Sequence, residues 1–348
     1  MCEGEKNPMA PRASIKDVAL EAGVSVATVS YAINTPERVS SASLERVRAA
    51  IARLGYVRNE AARQLRVGSS NMLGLVMLDL ANPFFTDIAL GSEAQASANG
   101  LSVLLGNSHR DCGRENSYLD LFAEGSARGI VITPSGVGAR DKLLALRSRG
   151  IPVVLVDAVA EDEQFGSISL DNRLGGERAT QHLIDQGNRN ITFVGTRKIP
   201  QITDRLRGAE AAVAASPGVA LNVLTTNDIT FDTSVEVGLS IARRPRRDWP
   251  DAIFAANDII AVALLQAFNQ SNITVPDDIA LIGFDDITYA RTAAVPLSTV
   301  RQPARLMGSE AVTMLLEIEQ GADPRHIRIE PELVIRASTY PTQRKARL

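Results

Sequence analysis

Apolar residues recur along this chain with two different periods. Near the N-terminus they fall three and four apart: Ile15, Val18, Ala19 and Ala22, then Val29, Ala32 and Ile33, then Leu44, Val47, Ala50, Ile51 and Leu54. Such spacing predicts three short helices, each burying one face. The boundaries are written in the polar residues between them. Ser14 followed by Asp17 is a capping-box pair, so the first helix begins near Ile15, and Gly23 ends it. Ser25 caps a second helix from Val26 to Ile33, Ser40 can cap a third over residues 41–54, and Gly55 stops that one. Two helices joined by so tight a turn are a helix-turn-helix, with Val26, Ala27, Thr28, Ser30 and Tyr31 turned outward as a small, mostly uncharged face.

From Met72 onward the pattern changes. Continuous apolar runs, LGLVMLDL, LSVLLGN, GIVIT, IPVVLVD, SISLD, ITFVG, ALNVLT, AIFAA and IALIGFD, alternate with amphipathic stretches at 84–99, 114–127, 141–149, 175–186, 205–215, 233–243 and 258–269. Runs that are apolar at every position predict parallel strands covered on both faces. One sheet cannot hold them all, so two doubly wound sub-domains are expected. Between the two patterns lies a short, mostly polar segment at 59–65; seven residues cannot hold a helix in water by themselves, since nucleation costs more than so few hydrogen bonds return. Residues 66–71, RVGSSN, read as a flexible link.

Charge sharpens this division. The chain of 348 residues has a net charge of -3, but residues 1–70 hold ten Lys or Arg against seven Asp or Glu, while the remainder holds 27 against 33. A positive first part attracts nucleic acid and an acidic second part repels it. The two cysteines, Cys2 and Cys112, make neither a disulfide framework nor a metal site, although Cys112 stands three residues after His109. No apolar run approaches a membrane span, and the first residues carry no signal-peptide core, so a cytoplasmic protein without membrane partners is expected. No G-x-G-x-x-G, G-x-x-x-x-G-K-[ST] or G-x-S-x-G is present, and His109, His182 and His326 have no nucleophile or metal partner in motif spacing. An enzyme, a metal or a cofactor is therefore not expected.

The string SIKDVALEAGVSVATVSYAIN, continued by RVSSASLERVRAAIARLGYVRNEAARQL, resembles the DNA-binding headpiece of the LacI/GalR family of bacterial transcription repressors. NPFF at 82–85, SLDNRLGG at 169–176, DRLRG at 204–208, AAND at 255–258 and VPDDIALIGFDD at 275–286 are similar to the periplasmic-binding-protein-like core of the same family. The resemblance implies a small all-α headpiece joined to an α/β core. Expected divisions are a disordered tail at 1–13, the headpiece at 14–58, a hinge helix and linker at 59–71, the core at 72–340 and a basic tail at 341–348. Within the core, one sub-domain takes about 72–170 and 300–327, the other about 171–299 and 328–340, with a last strand near 328–336. The three crossings between them imply a cleft that opens and closes.

The same resemblance assigns roles. Val26, Ala27 and Tyr31 stand at base-reading positions, with Thr28, Ser30 and Asn34 closer to the DNA backbone, and Ser14 and Ser25 are also expected among the DNA-binding residues. Valine and alanine can touch thymine methyls but offer no hydrogen bond, which leaves Tyr31 as the specific reader, or as packing against the third helix. Arg38, Ser40, Ser43, Tyr56 and Asn59 match phosphate-contacting positions; Leu44 stands where many members have arginine. Leu65 matches the leucine that wedges into the minor groove, with Ala62 one turn before it and Arg66 after it. For the cleft, Asp157, Asp171, Arg205, Asn257 and Asp285 lie at or just beyond strand ends, where open parallel sheets bind ligands. Phe84 could flank a flat ligand or begin a buried helix, and Phe85 belongs to the core. Carboxylates, an amide and a guanidinium suit a polyhydroxylated or heteroaromatic effector such as a sugar, a sugar derivative, a nucleoside or a purine. Ile229 matches a position often aromatic in sugar-binding members, and Asp258 and Asp286 are expected to cap helices.

The reading that follows is a homodimeric repressor of a palindromic operator, controlled by a small ligand. The remaining alternative is a transport-type sugar-binding component with no regulatory role, which would have no use for residues 14–65. After Arg336 too few residues remain for a coiled-coil tetramerisation segment.

Overall fold

The computed structural model describes residues 13–56 and 70–340, except 126, 161, 162 and 227. The expected hinge residues Asn59, Ala62, Leu65 and Arg66 and both expected tails therefore lie outside the described residues, save Ala13. The chain divides into two compact units, Met1–Ser69 and Ser70–Leu348.

In the first unit α1 (Ile15–Ala22), α2 (Val26–Asn34) and α3 (Ser41–Leu54) enclose a core of Val18, Ala19, Ala22, Val29, Ala32, Val47 and Ala50. The boundaries follow from capping chemistry. The Asp17 amide donates to Ser14 Oγ at 3.4 Å while Ser14 N–H donates to the Asp17 carboxylate at 2.7 Å, a reciprocal box that satisfies two free donors. Gly23 closes α1 in the left-handed region at φ 62°, which sets the tight turn to Ser25, whose Oγ accepts from Thr28 N–H at 3.0 Å. Small residues dominate this core, so the helices approach closely but bury little apolar area.

The second unit holds two parallel sheets. The first has the order β11-β5-β4-β3-β1-β2, built from β1 (Met72–Met77), β2 (Ser102–Asn107), β3 (Gly129–Ile132), β4 (Val153–Val156), β5 (Gly166–Leu170) and β11 (His326–Ile329). The second has the order β7-β6-β8-β9, from β6 (Asn190–Gly195), β7 (Ala220–Thr225), β8 (Ala252–Ala255) and β9 (Ala280–Ile282). Between them β10 (Thr299–Arg301) pairs antiparallel with β12 (Glu332–Val334). The chain leaves the first sheet after β5 and returns through β10 to α12 (Ala304–Glu319), which packs on β3, β4 and β5. It leaves again after β11.

The single last strand expected at 328–336 is two strands. Arg328 and Ile329 stay in the first sheet as the end of β11, paired with β5, and the ladder stops before Pro331, which has no N–H to continue it. The apolar run IALIGFD also yields only β9, and Ile282 and Asp285 go on to make isolated parallel bridges to Ser298 and Arg301.

Helices α4 (Pro83–Ala98), α5 (Cys112–Glu124), α6 (Arg140–Ser148), α7 (Asn172–Asp185), α8 (Pro200–Ala214), α9 (Phe231–Ala242), α10 (Asp258–Gln270) and the short α11 (Thr288–Thr292) complete the unit. Helix α8 begins well before the expected Arg205, at Pro200, since proline is well placed in a first turn where its missing N–H is no loss. Helices α7 and α8 touch backbone to backbone: a Cβ on Gly176 would lie 2.0 Å from the Arg205 carbonyl oxygen, and one on Gly208 2.0 Å from that of Arg173. This approach presses Arg205 into the protein. Among the described residues no helix is long and apolar enough to cross a membrane.

Candidate functional site

Two groups of residues carry chemistry, one in each unit. On the first, Val26 is 40% and Tyr31 48% exposed on the outer face of α2, beside exposed Ser25 and Ala27. Tyr31 thus faces outward and does not pack into the three-helix core, which is formed on the opposite face by Val29 and Ala32. The Asn34 amide donates to Ser30 O at 2.7 Å and to its Oγ at 3.3 Å, so this pair is ordered at the end of the helix. Arg38 and Ser40 are exposed, whereas Ser43 is half-buried and its amide donates to Ser40 Oγ. Tyr56, matched to a phosphate contact, packs its half-buried side chain on the headpiece core, as does Leu44.

In the second unit a cavity of about 800 Å³ opens where strands of both sheets end. Asp79 and Asn82 follow β1, His109 and Arg110 follow β2, and Ser135 follows β3; across from them Thr196 and Gln201 follow β6, Asp228 and Ile229 follow β7, and Asn257 follows β8. At its inner end is a chamber of about 30 Å³ whose lining includes Asn82, Phe84, Arg110, Asp157, Arg205, Ile229, Asn257 and Asp285. Carboxyl ends of parallel strands converge in such crevices because the loops that follow them share one side of the sheet.

Arg205 is the hub of the inner chamber. It is 4% exposed; Nε donates to Asn172 Oδ1 at 2.8 Å, one terminal nitrogen donates to Ala256 O at 2.7 Å and stands 3.5 Å from Asp285 Oδ1, and the guanidinium lies 3.7 Å over the Phe284 ring. Asp285 also accepts from Gln302 Nε2 at 2.7 Å and from Asn82 Nδ2 at 3.2 Å. Both Asp157, at φ 54°, and Asp285, at φ 114°, take left-handed backbone that L residues avoid, a strain that persists where surrounding structure imposes it.

Charge is scarce here in one sign. Burial pushes the Asp157 carboxyl up to about 7, with Arg205 opposing and Asp285 adding to the rise. Burial likewise raises Asp285 against Arg205, Gln302 and Asn82, and it raises Asp258 well above the ordinary carboxylate value with Asp285 contributing. Arg205 itself is lowered by burial, with the three acids holding it up. One guanidinium thus serves three buried carboxyl groups.

Six of the seven sequence-expected cleft residues, Phe84, Asp157, Arg205, Ile229, Asn257 and Asp285, share this chamber; Asp171 does not. Asp171 caps α7, accepting from Leu174 N–H at 3.0 Å, and pairs with Arg328 at 2.9 Å. Asn257 lines the chamber while capping α10. The two expected caps are something else. Asp258 is fully buried inside the first turn of α10, where its carboxylate accepts from Thr299 Oγ1 at 2.7 Å and Ile287 N–H at 3.0 Å. Gly283 makes room for it, since a Cβ there would lie 2.1 Å from Asp258 Oδ1. Asp286 forms ion pairs with Arg301 at 2.8 Å and Arg336 at 2.6 Å. An Asp next to a helix start has the same local sequence in all these roles, and only the distant partner separates them.

Sequence reasoning missed Asn82, Arg110, Gln201 and Gln302. Asn82 had a signal, because Asn-Pro-Phe-Phe opens a helix and its Oδ1 accepts from Phe84 N–H at 3.1 Å, leaving its Nδ2 for Asp285. Gln201 Nε2 donates to the Asp157 carbonyl from the other sheet's side of the cleft. Arg110 and Gln302 had no local signal.

Residues 14–59 match the model for bacterial regulatory proteins of the lacI family, and residues 180–339 match the periplasmic binding protein-like domain. The HTH-type transcriptional repressor PurR of Photobacterium profundum is 33% identical over 94% of this chain and 98% of its own length. The ribose operon repressor of Escherichia coli is 32% identical over 94% of this chain and 99% of its own. A solved structure of the lac repressor dimer, bound to operator and the anti-inducer ONPF, superposes with a TM-score of 0.80 at 23% identity, covering 95% of this chain and all of that one.

Proposed function

The chain belongs to the lacI family of bacterial regulatory proteins, and from that membership we propose how its two sites act together. It is a DNA-binding transcriptional repressor under the control of a small ligand, and not an enzyme. Our reading is that it works in the cytoplasm as a homodimer on a palindromic operator, each headpiece taking half a site with α2 in the major groove. Val26 and Ala27 contact thymine methyls, Tyr31 supplies the hydrogen bond to a base edge, and Ser14, Ser25, Thr28, Arg38 and Ser40 place the helix on phosphates.

The observation that carries the control half is the inner chamber. Asn82, Asp157, Arg205, Asn257 and Asp285 offer donors and acceptors at close quarters, the pattern that a polyhydroxylated ligand satisfies because every hydroxyl both donates and accepts. Ile229 stands where sugar-binding members often carry an aromatic ring, so selection here rests on hydrogen bonding and not on stacking, and a pentose is the ligand we put to the test, in keeping with the relatives named ribose operon repressor. Ligand bound between the two sheets fixes their relative position, and a coupling of about 1–3 kcal/mol is enough to change operator occupancy several-fold or more.

The experiment is a mobility shift with the fragment upstream of the protein's own coding sequence, run with excess unrelated DNA and with or without D-ribose. A retarded band that survives competitor and changes with D-ribose is expected. Binding that competitor abolishes at every salt concentration would overturn the operator reading, and a specific band indifferent to pentoses would overturn the ligand.

A further inference from the structure

Among the described residues five buried side-chain polar atoms have no hydrogen-bond partner, and two of them, Arg110 Nε and Asp157 Oδ1, belong to residues lining the inner chamber. Both residues follow strands of the six-stranded sheet, β2 and β4, and both hold left-handed backbone, at φ 60° and φ 54°. One atom is an obligatory donor and the other a carboxyl oxygen. Buried polar groups are almost always paired, so two complementary orphans on residues that line one chamber call for partners from outside the chain.

Arg110 also spans the cleft. One of its terminal nitrogens donates to Asp79 at 2.5 Å, after β1, and the other lies 3.5 Å from Asp228, which follows β7 in the opposite sheet. Its two outer nitrogens are thus committed to carboxylates, one on each side, while Nε is left over. Arg110 lines both the outer cavity and the inner chamber, which puts it between the entrance and the polar hub.

We propose that Arg110 is a ligand-binding and specificity-determining residue: Nε–H donates to one oxygen of a vicinal diol whose neighbouring hydroxyl bonds Asp157 Oδ1, while the Asp79 and Asp228 pairs fasten the guanidinium across the entrance. This rests on the pentose reading above. A guanidinium does both tasks because its donors are rigidly forked, whereas a lysine ammonium at the same place keeps the charge but has one terminal nitrogen for the two carboxylates and no donor along its stem.

The test is calorimetric titration of D-ribose into the full chain and into Arg110→Lys, Arg110→Gln and Asp228→Asn, with ligand-free melting curves to confirm that each variant folds. Arg110→Lys and Arg110→Gln are expected to weaken D-ribose by about tenfold or more, a charge-assisted hydrogen bond being lost, and Asp228→Asn by only about two- to threefold, an exposed pair being lost. D-ribose binding by Arg110→Lys within about twofold of the unsubstituted chain overturns the contact. Equal losses in Arg110→Lys and Asp228→Asn overturn it too, since the residue would then act only by holding the entrance. No binding of D-ribose by the unsubstituted chain sinks the pentose reading, and this inference with it.

Discussion

The headpiece and the cleft solve opposite problems with the same alphabet. The headpiece presents Val26, Ala27 and Tyr31 of α2 to solvent, with no charge among them, and keeps its fold through the caps Ser14 and Asp17 on α1 and Ser25 on α2, which act on neighbours within three residues. The cleft hides Asp157, Arg205 and Asp285 at 4% exposure each, and each depends on partners far along the chain, such as Asn82 for Asp285 and Asn172 for Arg205. In the headpiece, fold and recognition are separable. In the cleft they are one network, because charges taken out of water must satisfy one another before they can meet a ligand.

The strongest way to break that contrast is Arg205→Ala. It leaves Asp157, Asp258 and Asp285 buried without their common cation, and a loss of about 3–5 kcal/mol is expected in urea unfolding of the core transition. A loss below about 1 kcal/mol would mean that the carboxyls are already neutral or water-reached, and that the cleft is no more interdependent than the headpiece.

A second probe is pH. Asp157 has its carboxyl raised to about 7 in the folded chain, above the value it takes when unfolded, so between the two the folded state holds the extra proton. Its contribution is therefore favourable at low pH and is lost as pH rises through about 7, with a slope of up to about 1.4 kcal/mol per pH unit. Asp258 and Asp285, also raised, act in the same sense. Ligand-free Asp157→Asn should be flatter in melting temperature between pH 5 and 8 than the unsubstituted chain, with its advantage on the alkaline side (~pH 8). Parallel curves would remove Asp157 from the network.

The smallest effect on stability belongs to Tyr31→Ala. The ring lies outside the headpiece core, so stability should change by no more than about 0.5 kcal/mol while operator affinity falls by about 1–3 kcal/mol, read by mobility shift. A loss of headpiece stability without loss of sequence preference would reverse the assignment and make Tyr31 a structural residue.

The same contrast explains what could be read from the sequence. The headpiece helices were legible because their caps and the stops of α1 and α3 at Gly23 and Gly55 are local, while α2, which has no such stop, runs one residue past the expected Ile33 to Asn34. The alternation of apolar runs with amphipathic stretches likewise carried the two parallel sheets. Within the cleft, the residue types and near-strand-end positions of Asp157 and Asp285 were enough to bring them forward, whereas Arg205, expected at a strand end, enters the chamber from inside α8. The exchange of roles among Asp171, Asn257, Asp258 and Asp286 was not legible, since capping or pairing turns on Leu174, Arg328, Thr299, Ile287, Arg301 and Arg336, most of them distant in sequence. Arg110 was invisible for the same reason: its meaning lies in Asp79 and Asp228, on either side of an entrance that exists only once both sheets have formed.

One guanidinium shared by three buried acids also constrains how this protein can change its diet over evolutionary time. Replacing a single member of the set alters the count of buried charge before it alters the shape offered to a ligand, so one-step variants inherit the cost of an unbalanced interior. Paired changes, a carboxylate lost together with the arginine or converted to an amide beside it, escape that cost, and their effects will not add. New ligand preferences should therefore arise most readily from the outer wall, where Thr196, Asp228 and Tyr289 line the wider cavity away from the hub.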